Sequence, residues 1–245
     1  MERPPPDGFT LAEVLITLGI IGIVSALTLS TIITNIRNKG YVERLKKNYS
    51  VLQQVTNTII QEEGTPDSWA YTAHNSADNS ANDYIVSNYV KHLQTSCYRL
   101  SEMGWSIDAT FCDGTKRFRT MSYKNLDGTK GNDIYGWDLF AYAYPIMLND
   151  GTMIGIRFSL HKGGTFYGTP FMSFIIDVNG WKGPNTVGRD IFFLYLLNDK
   201  SGKLLPYISD TEAAKRGFKR ADTCGKGKSG HSCAYRVITE GKMNY

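Results

Sequence analysis

The residues from Phe9 to Ile33 form a nearly unbroken apolar run in which Glu13 is the sole ionisable side chain. A helix of this length extends about 37 Å at 1.5 Å per residue, whereas the hydrocarbon core of a bilayer is about 30 Å thick. A cleaved secretory signal has a shorter apolar region, followed by a small-residue cleavage site. A soluble helix also needs a polar face, which this run lacks. The run therefore predicts a transmembrane helix.

Glu13 lies one helical turn after Phe9, at a depth where a carboxylate is costly and usually has a specific partner. A free amino group on Phe9 of a neighbouring chain is one such partner, and that pairing would set the axial register between two helices. In a simpler interpretation, the Glu13 side chain reaches the membrane interface and remains solvated.

Gly8-Phe9-Thr10-Leu11-Ala12-Glu13, followed by an apolar helix, resembles the prepilin motif of type IV pilins and type II secretion pseudopilins. The resemblance implies that a prepilin peptidase cleaves after Gly8 and methylates the new amino terminus at Phe9. It also implies that Glu13 neutralises the terminal amine of the adjacent subunit during assembly. We therefore expect a structural filament subunit, not an enzyme, with no cofactor.

Two departures from the family pattern concern the leader and the helix. The leader, residues 1–8, has a net charge of −1, although leaders in this family are usually basic. Ser30 occupies a position where many relatives have a proline, which would kink the helix.

The charges around the apolar run give an orientation that conflicts with the resemblance. Basic residues follow the run at Arg37, Lys39, Arg44, Lys46 and Lys47, whereas Arg3 alone precedes it. By the positive-inside rule, this asymmetry would place the carboxyl-terminal side in the cytoplasm. The resemblance and the cysteines imply the opposite, with the amino terminus cytoplasmic and the head outside the inner membrane.

Helical periodicity continues beyond the membrane segment. Apolar residues recur with an average spacing of 3.6, at Tyr41, Leu45, Tyr49, Leu52, Val55 and Ile59. Gly64 and Pro66 then end the pattern. The predicted organisation is a leader (1–8), a transmembrane or filament-core helix (9–34), its amphipathic continuation (35–63) and a globular head (64–245).

The head is expected to contain a short helix over 84–93 and three or four antiparallel strands. Candidate strand segments are 144–148, 152–159, 171–177, 191–197 and 203–206, with Asn149-Asp150-Gly151 as a hairpin turn. The amphipathic helix would cover one face of this sheet and leave the other face solvated. The predicted fold class is α+β, a long helix packed on a small antiparallel sheet, as in pilins.

The four cysteines form two sequence-local pairs, Cys97 with Cys112 and Cys224 with Cys233. An even number in an exported chain favours disulfides. Spacings of 15 and 9 residues do not match paired two-residue zinc knuckles. Crossed connectivity remains open.

Three further patterns have simple interpretations. Asp177, Asn179 and Asp190 offer oxygen ligands around a glycine-rich turn, as calcium prefers, and some major pseudopilins hold calcium in a head loop. Such residues also make ordinary capped turns, which is the default interpretation, so no metal is predicted. The segment 227–229 imitates part of a phosphate-binding loop but lacks its first glycine. The four histidines have no metal-ligand spacing and are expected at the surface.

The resemblance implies four partners: prepilin peptidase, other pilin or pseudopilin subunits, an inner-membrane assembly platform and membrane lipid. The net charge of +4 is too small to predict nucleic-acid binding. Two alternatives remain open. One is a minor pilin whose head is an adhesin or a DNA- or glycan-binding module. The other is a membrane-anchored enzyme, for which no catalytic spacing is visible.

Overall fold

The structure, a computed structural model, describes residues 8, 10–70, 80–98, 100, 122–131, 143–159, 171–180, 182–206 and 223–245. Its helices are α1 (Leu11–Glu63), a 3-10 turn (Pro66–Ser68), α2 (Ser80–His92) and α3 (Cys233–Glu240). Its strands are β1 (Thr95–Tyr98), β2 (Tyr144–Leu148), β3 (Met153–Ser159), β4 (Phe171–Asp177), β5 (Ile191–Leu197) and β6 (Leu204–Pro206). The chain divides into two compact units, Met1–Gly40 and Tyr41–Tyr245.

The first unit is helical and has no apolar core of its own. Every residue of α1 from Leu11 to Ile33 is exposed in the single chain. The exposed fraction of the large apolar side chains in this stretch ranges from 41% at Val14 to 79% at Leu11. Within the described part of the chain, α1 is the one helix long and apolar enough to cross a membrane.

The second unit, which we call the head, is built around the remainder of α1. The predicted apolar stripe is buried at Tyr41, Leu45, Leu52, Val55 and Ile59, and Tyr49 is half-buried against the same core. The helix also buries polar side chains that the apolar pattern did not predict. Asn48 donates to Thr152 Oγ1 at 3.3 Å, and Thr56 Oγ1 lies 2.9 Å from Tyr89 Oη. These bonds satisfy groups that would otherwise be costly to bury.

The six strands form one antiparallel sheet in the order β1-β2-β3-β4-β5-β6. The predicted Asn149-Asp150-Gly151 hairpin turn joins β2 to β3, and Ile146 pairs with Ile154 across it. Gly151 has a φ of 82°, a conformation that glycine adopts without the usual side-chain penalty. The α+β fold expected from the sequence is therefore confirmed.

Several elements differ from the prediction. Strand β1 and helix α3 were not predicted, and the sheet has six strands rather than three or four. Helix α2 starts at Ser80, four residues before the predicted start. In β1 the side chains alternate between half-buried and exposed, since it pairs only with β2 at the sheet edge. An edge strand of this kind does not need the apolar pattern by which central strands are recognised.

The prediction of a sheet with one solvated face is wrong. One face of the sheet packs on α1 and α2 through residues such as Phe174 and Leu194. The opposite face forms a second apolar cluster, in which Ile175 and Phe193 pack with Tyr123 and Val187. All seven residues of β5 are buried, because loops cover this second face.

We expect Leu52→Ala to lower the free energy of unfolding of the head by about 2–5 kcal/mol, the range for truncating a buried leucine. Leu52 is completely buried between α1 and the sheet. Urea unfolding of the chain in detergent, followed by near-UV circular dichroism, measures this loss. Gln54→Ala is the matched control, because Gln54 is exposed on the same helix, and it should change stability by less than about 0.5 kcal/mol. Equal effects of the two substitutions would contradict this packing.

Candidate functional site

The first candidate site is the start of α1, where the sequence placed Gly8, Phe9 and Glu13. Gly8 is exposed, and Phe9 lies outside the described residues. Glu13 Oε2 accepts two hydrogen bonds from Thr10, one from the backbone N–H at 2.8 Å and one from the hydroxyl at 2.8 Å. In return, the Glu13 backbone N–H donates to Thr10 Oγ1 at 3.3 Å.

This reciprocal arrangement is a capping box, which satisfies amide groups that the first helical turn leaves without partners. The sequence analysis did not identify it, although Thr10-x-x-Glu13 carries the capping-box signature directly before an apolar run. Glu13 therefore holds the start of α1 within its own chain. Its second oxygen, Oε1, accepts no hydrogen bond from the described residues, so half of the carboxylate stays available for a second partner.

Several hydroxyl side chains in and directly after the apolar run bond to the backbone of the helix itself. The hydroxyls of Thr17, Thr28 and Thr34 each donate to the backbone carbonyl four residues earlier, at 2.9 Å in every case. Ser30 donates to Leu27 O at 3.4 Å. Such bonds remove the cost of placing a hydroxyl in an apolar medium. Glu13 is thus the one ionic group on this part of α1.

The second candidate site is the last residue of β4, Asp177, together with the β4–β5 loop, residues 178–190, which supplies the other two predicted oxygen ligands, Asn179 and Asp190. This loop is attached to the beginning of the head's helix by two hydrogen bonds. Arg44 Nη1 donates to Val178 O at 2.9 Å, and Asn179 Nδ2 donates to Tyr41 Oη at 3.2 Å. Gly180 has a φ of 62°, and a Cβ there would lie 2.5 Å from Gly151 O, so this turn requires glycine.

The structure places Asp177 and Asp190 together beneath this loop, and both are completely buried. Asp190 accepts backbone N–H bonds from Asn185 at 2.8 Å and from Thr186 at 2.6 Å. Asp177 Oδ1 accepts one from Asn179 at 3.2 Å. The predicted capped turn is therefore present, since the loop folds around its own two carboxylates.

The loop also contains buried oxygens that no hydrogen bond satisfies. Asp177 Oδ2, Asn179 Oδ1 and Asn185 Oδ1 have no partner within the described part of the chain. Buried polar atoms are nearly always paired in folded proteins, so three such oxygens on one short loop require an explanation. Oxygen-rich surroundings of this kind suit a hard cation such as Ca²⁺. The described residues contain no group of three His, Cys, Asp or Glu side chains arranged for a metal, so amide and carbonyl oxygens would have to complete the shell.

Burial governs the titration of this region. Desolvation raises the pKa of Asp177 well above its usual range, and the nearby charge of Asp190 raises it further. Desolvation also raises the pKa of Asp190, although the N–H groups of Thr186 and Asn185 oppose that change. The same two carboxylates, together with burial, raise the pKa of the Tyr123 hydroxyl. Without a bound cation, both acids are thus harder to ionise than an exposed aspartate.

The predicted disulfide bonding is confirmed for Cys97, Cys224 and Cys233. Cys224 and Cys233 are bonded to each other and close a loop that ends at the start of α3. Cys97 is also disulfide-bonded, and its predicted partner, Cys112, lies outside the described residues. The Gly227-Lys228-Ser229 segment lies between Cys224 and Cys233, in the loop that their disulfide closes.

The histidine prediction is wrong for His231, which is buried rather than at the surface. Its ring stacks on Phe193 with centroids 5.1 Å apart, and Nδ1 lies 2.9 Å from Ser229 Oγ. The ring therefore covers the second face of the sheet. Histidine is amphipathic, and this loop has no periodicity that would have indicated the burial of His231.

Comparison with protein-family models gives no match to this chain, and neither curated proteins nor solved structures give a significant one.

We expect the head to become more stable as the pH falls from 7 to 5 in a buffer that chelates divalent cations. An acid whose pKa is raised on folding binds more protons in the folded state, so stability decreases as the pH rises above the unfolded pKa of roughly 3.9. Burial raises the pKa of both Asp177 and Asp190, so both carboxyl groups contribute to a loss of stability as the pH rises. Thermal unfolding followed by circular dichroism measures the change.

Asp177→Asn should flatten this pH dependence, because an amide keeps the size of the side chain and does not titrate. The variant should match or exceed the parent in melting temperature at pH 7 in the same chelating buffer. A parent head that loses stability steadily from pH 7 to 5 would contradict the assignment.

Proposed function

We propose that the chain is a structural subunit of an extracytoplasmic filament related to type IV pili and type II secretion pseudopili. A prepilin peptidase would cleave it after Gly8 and methylate Phe9. The subunit would wait in the inner membrane through residues 9–34 and would then enter the filament through the same helix. The head would face the extracytoplasmic side, where the disulfides are stable.

The observation that carries this proposal is the apolar surface of α1 together with its single carboxylate. From Leu11 to Ile33 the helix exposes apolar side chains on every side, and none of these residues is buried in the single chain. Such a surface is compatible with two surroundings, lipid and a bundle of similar helices. Because both are apolar, the transfer of the helix between them costs little hydrophobic free energy.

Glu13 would favour the bundle over lipid. Its capping box uses Oε2 alone, so Oε1 is available for a cation. The amine of Phe9 on an adjacent subunit would supply that cation and compensate the burial of the carboxylate. Gly19 and Gly22 have no atom within 4 Å of an added Cβ in the single chain, so both leave room for a second helix to approach.

We also propose that the loop 178–190 holds a calcium ion that stabilises the head. The support is the set of unpartnered buried oxygens on Asp177, Asn179 and Asn185, beside the buried carboxylate of Asp190. These are hard ligands of the type that Ca²⁺ prefers. The bound ion would supply positive charge between the two carboxylates. The chain's own contribution is the loop that orients them, through the N–H bonds to Asp190.

We expect Glu13→Gln to remain membrane-embedded and to be cleaved after Gly8, yet to enter filaments at least tenfold less efficiently than the parent chain. Glutamine preserves the hydrogen-bond acceptor of the capping box but removes the charge that an adjacent amine would pair with. Immunoblotting of sheared filaments measures incorporation, and mass spectrometry of the membrane fraction identifies methylated Phe9 as the mature amino terminus.

Thr10→Val is the matched control, because it removes the capping hydroxyl and keeps the Glu13 charge. It should assemble better than Glu13→Gln. If Glu13→Gln assembles normally while Thr10→Val fails, Glu13 acts as a helix cap alone and the proposed charge pairing is wrong. Retention of residues 1–8 in the mature chain would overturn the proposed function.

We expect 10 mM CaCl₂ at pH 7 to raise the melting temperature of the head by a few degrees. Extracellular calcium sites have dissociation constants of about 0.1–1 mM, which gives roughly 1.4–2.7 kcal/mol of stabilisation at this concentration. Differential scanning calorimetry of the chain in detergent measures the shift. Asp190→Asn should abolish it, and 10 mM MgCl₂ should not reproduce it. An equal rise in the variant would contradict calcium binding by this loop.

A further inference from the structure

Three loops of the head join into one surface through backbone hydrogen bonds. Residues 122–131 pair with the β4–β5 loop, since Lys124 N donates to Asn185 O at 3.0 Å and Val187 N donates to Lys124 O at 2.8 Å. The same segment contacts the disulfide-closed loop, residues 223–232, through Leu126 N, which donates to Ser229 O at 3.0 Å. The three loops are therefore joined to one another by backbone hydrogen bonds.

This surface is strongly basic. Its cations are Lys124, Lys130, Lys182, Arg189, Lys226 and Lys228, which we call the basic loop surface. All the lysines among them are exposed, and Arg189 is half-exposed. Asp127 is the one exposed acid on these loops in the described part of the chain, because Asp177 and Asp190 are buried. Within the described residues, the three loops thus carry six basic side chains and one exposed acid.

The structure also shows where this surface lies along the chain. The β4–β5 loop is bonded to Tyr41 and Arg44, the first turn of helix that belongs to the head. Along the sequence, Tyr41 follows Ile33, the end of the apolar run, by eight residues. Eight residues of chain span at most about 29 Å in any conformation, so connectivity alone keeps the first turn of the head within that distance of the end of the apolar run.

We propose that the basic loop surface binds the anionic lipid headgroups of the membrane that holds α1. The inference rests on the proposed membrane-embedded state but does not require filament assembly. Arg37 and Lys39, which lie between the apolar run and the head, would add to the same interaction. The proposed lipid binding also gives the basic residues after the apolar run a role at the outer leaflet, where the positive-inside rule does not expect them.

Anionic lipid is favoured over nucleic acid because α1 anchors the chain in the membrane, so the chain itself tethers the basic loop surface to the lipid. A polyanion in solution would have to be captured from low concentration, whereas the headgroups are held nearby at high effective concentration. Each basic residue close to an anionic membrane strengthens binding by a factor of about five. For the subunit to leave the membrane and enter a filament, this contact between the head and the lipid headgroups would have to break.

The test uses the full chain reconstituted into vesicles of pure phosphatidylcholine or of phosphatidylcholine with 40% phosphatidylglycerol. A water-soluble acetylating reagent labels exposed lysines, and peptide mass spectrometry gives the rate at each position. We expect Lys124, Lys182 and Lys226 to react about fivefold more slowly in the anionic vesicles, with the difference removed by 1 M NaCl. Lys200 and Lys203, at the opposite end of β5, should react equally in both vesicles.

Two matched double variants test the assignment. In Lys182→Gln/Lys226→Gln, the roughly fivefold protection of Lys124 should largely disappear, because each lost charge weakens binding to the anionic membrane by a factor of about five. Lys200→Gln/Lys203→Gln should leave that protection unchanged. Equal labelling of the loop lysines in both vesicles would overturn the proposal. Protection by duplex DNA in neutral vesicles, without protection by phosphatidylglycerol, would also overturn it and assign the surface to nucleic acid.

Discussion

The apolar surface of α1 between Leu11 and Ile33 has to be kept from water, and this requirement governs the organisation of the chain. A globular domain hides such a surface in its own core, but here the head has a core that does not use it. The surface must therefore be covered by lipid or by other molecules. Glu13 introduces a charge into that surface, and in the proposed function this charge favours covering by neighbouring subunits over lipid.

The head fulfils the opposite requirement, since it must be stable in water. Its core joins the second half of α1 to α2 and one face of the sheet, and loops close the other face. The loops that close it also carry the two buried aspartates and the basic residues. Structural and proposed functional roles are thus concentrated at the end of the head where the β4–β5 loop is bonded to Tyr41 and Arg44.

Sequence reasoning succeeded where a pattern was long and regular, and it failed where contacts between distant segments decided the outcome. The periodicity from Tyr41 to Ile59 identified the buried side of the helix. The continuous apolar run Ile191–Leu197 was recognised as a strand, but its burial on both sides was not inferred, although a run without alternation is typical of that situation. Strand β1 and buried His231 had no local signal, because an edge pairing and a ring stack depend on residues far away in the sequence.

The sequence by itself predicted the apolar helix and the α+β class, and it favoured the Cys224–Cys233 pair while leaving crossed connectivity open, because these depend on composition and spacing along the chain. The Thr10-x-x-Glu13 signature is also present in the sequence, but the capping box was recognised only in the structure. Only the tertiary structure decided that Asp177 and Asp190, thirteen residues apart, would be buried together with oxygens left unpartnered. It also decided that lysines from three separate loops would form one surface. Burial and charge clustering are properties of the folded arrangement, so they become visible only when the loops have been placed against one another.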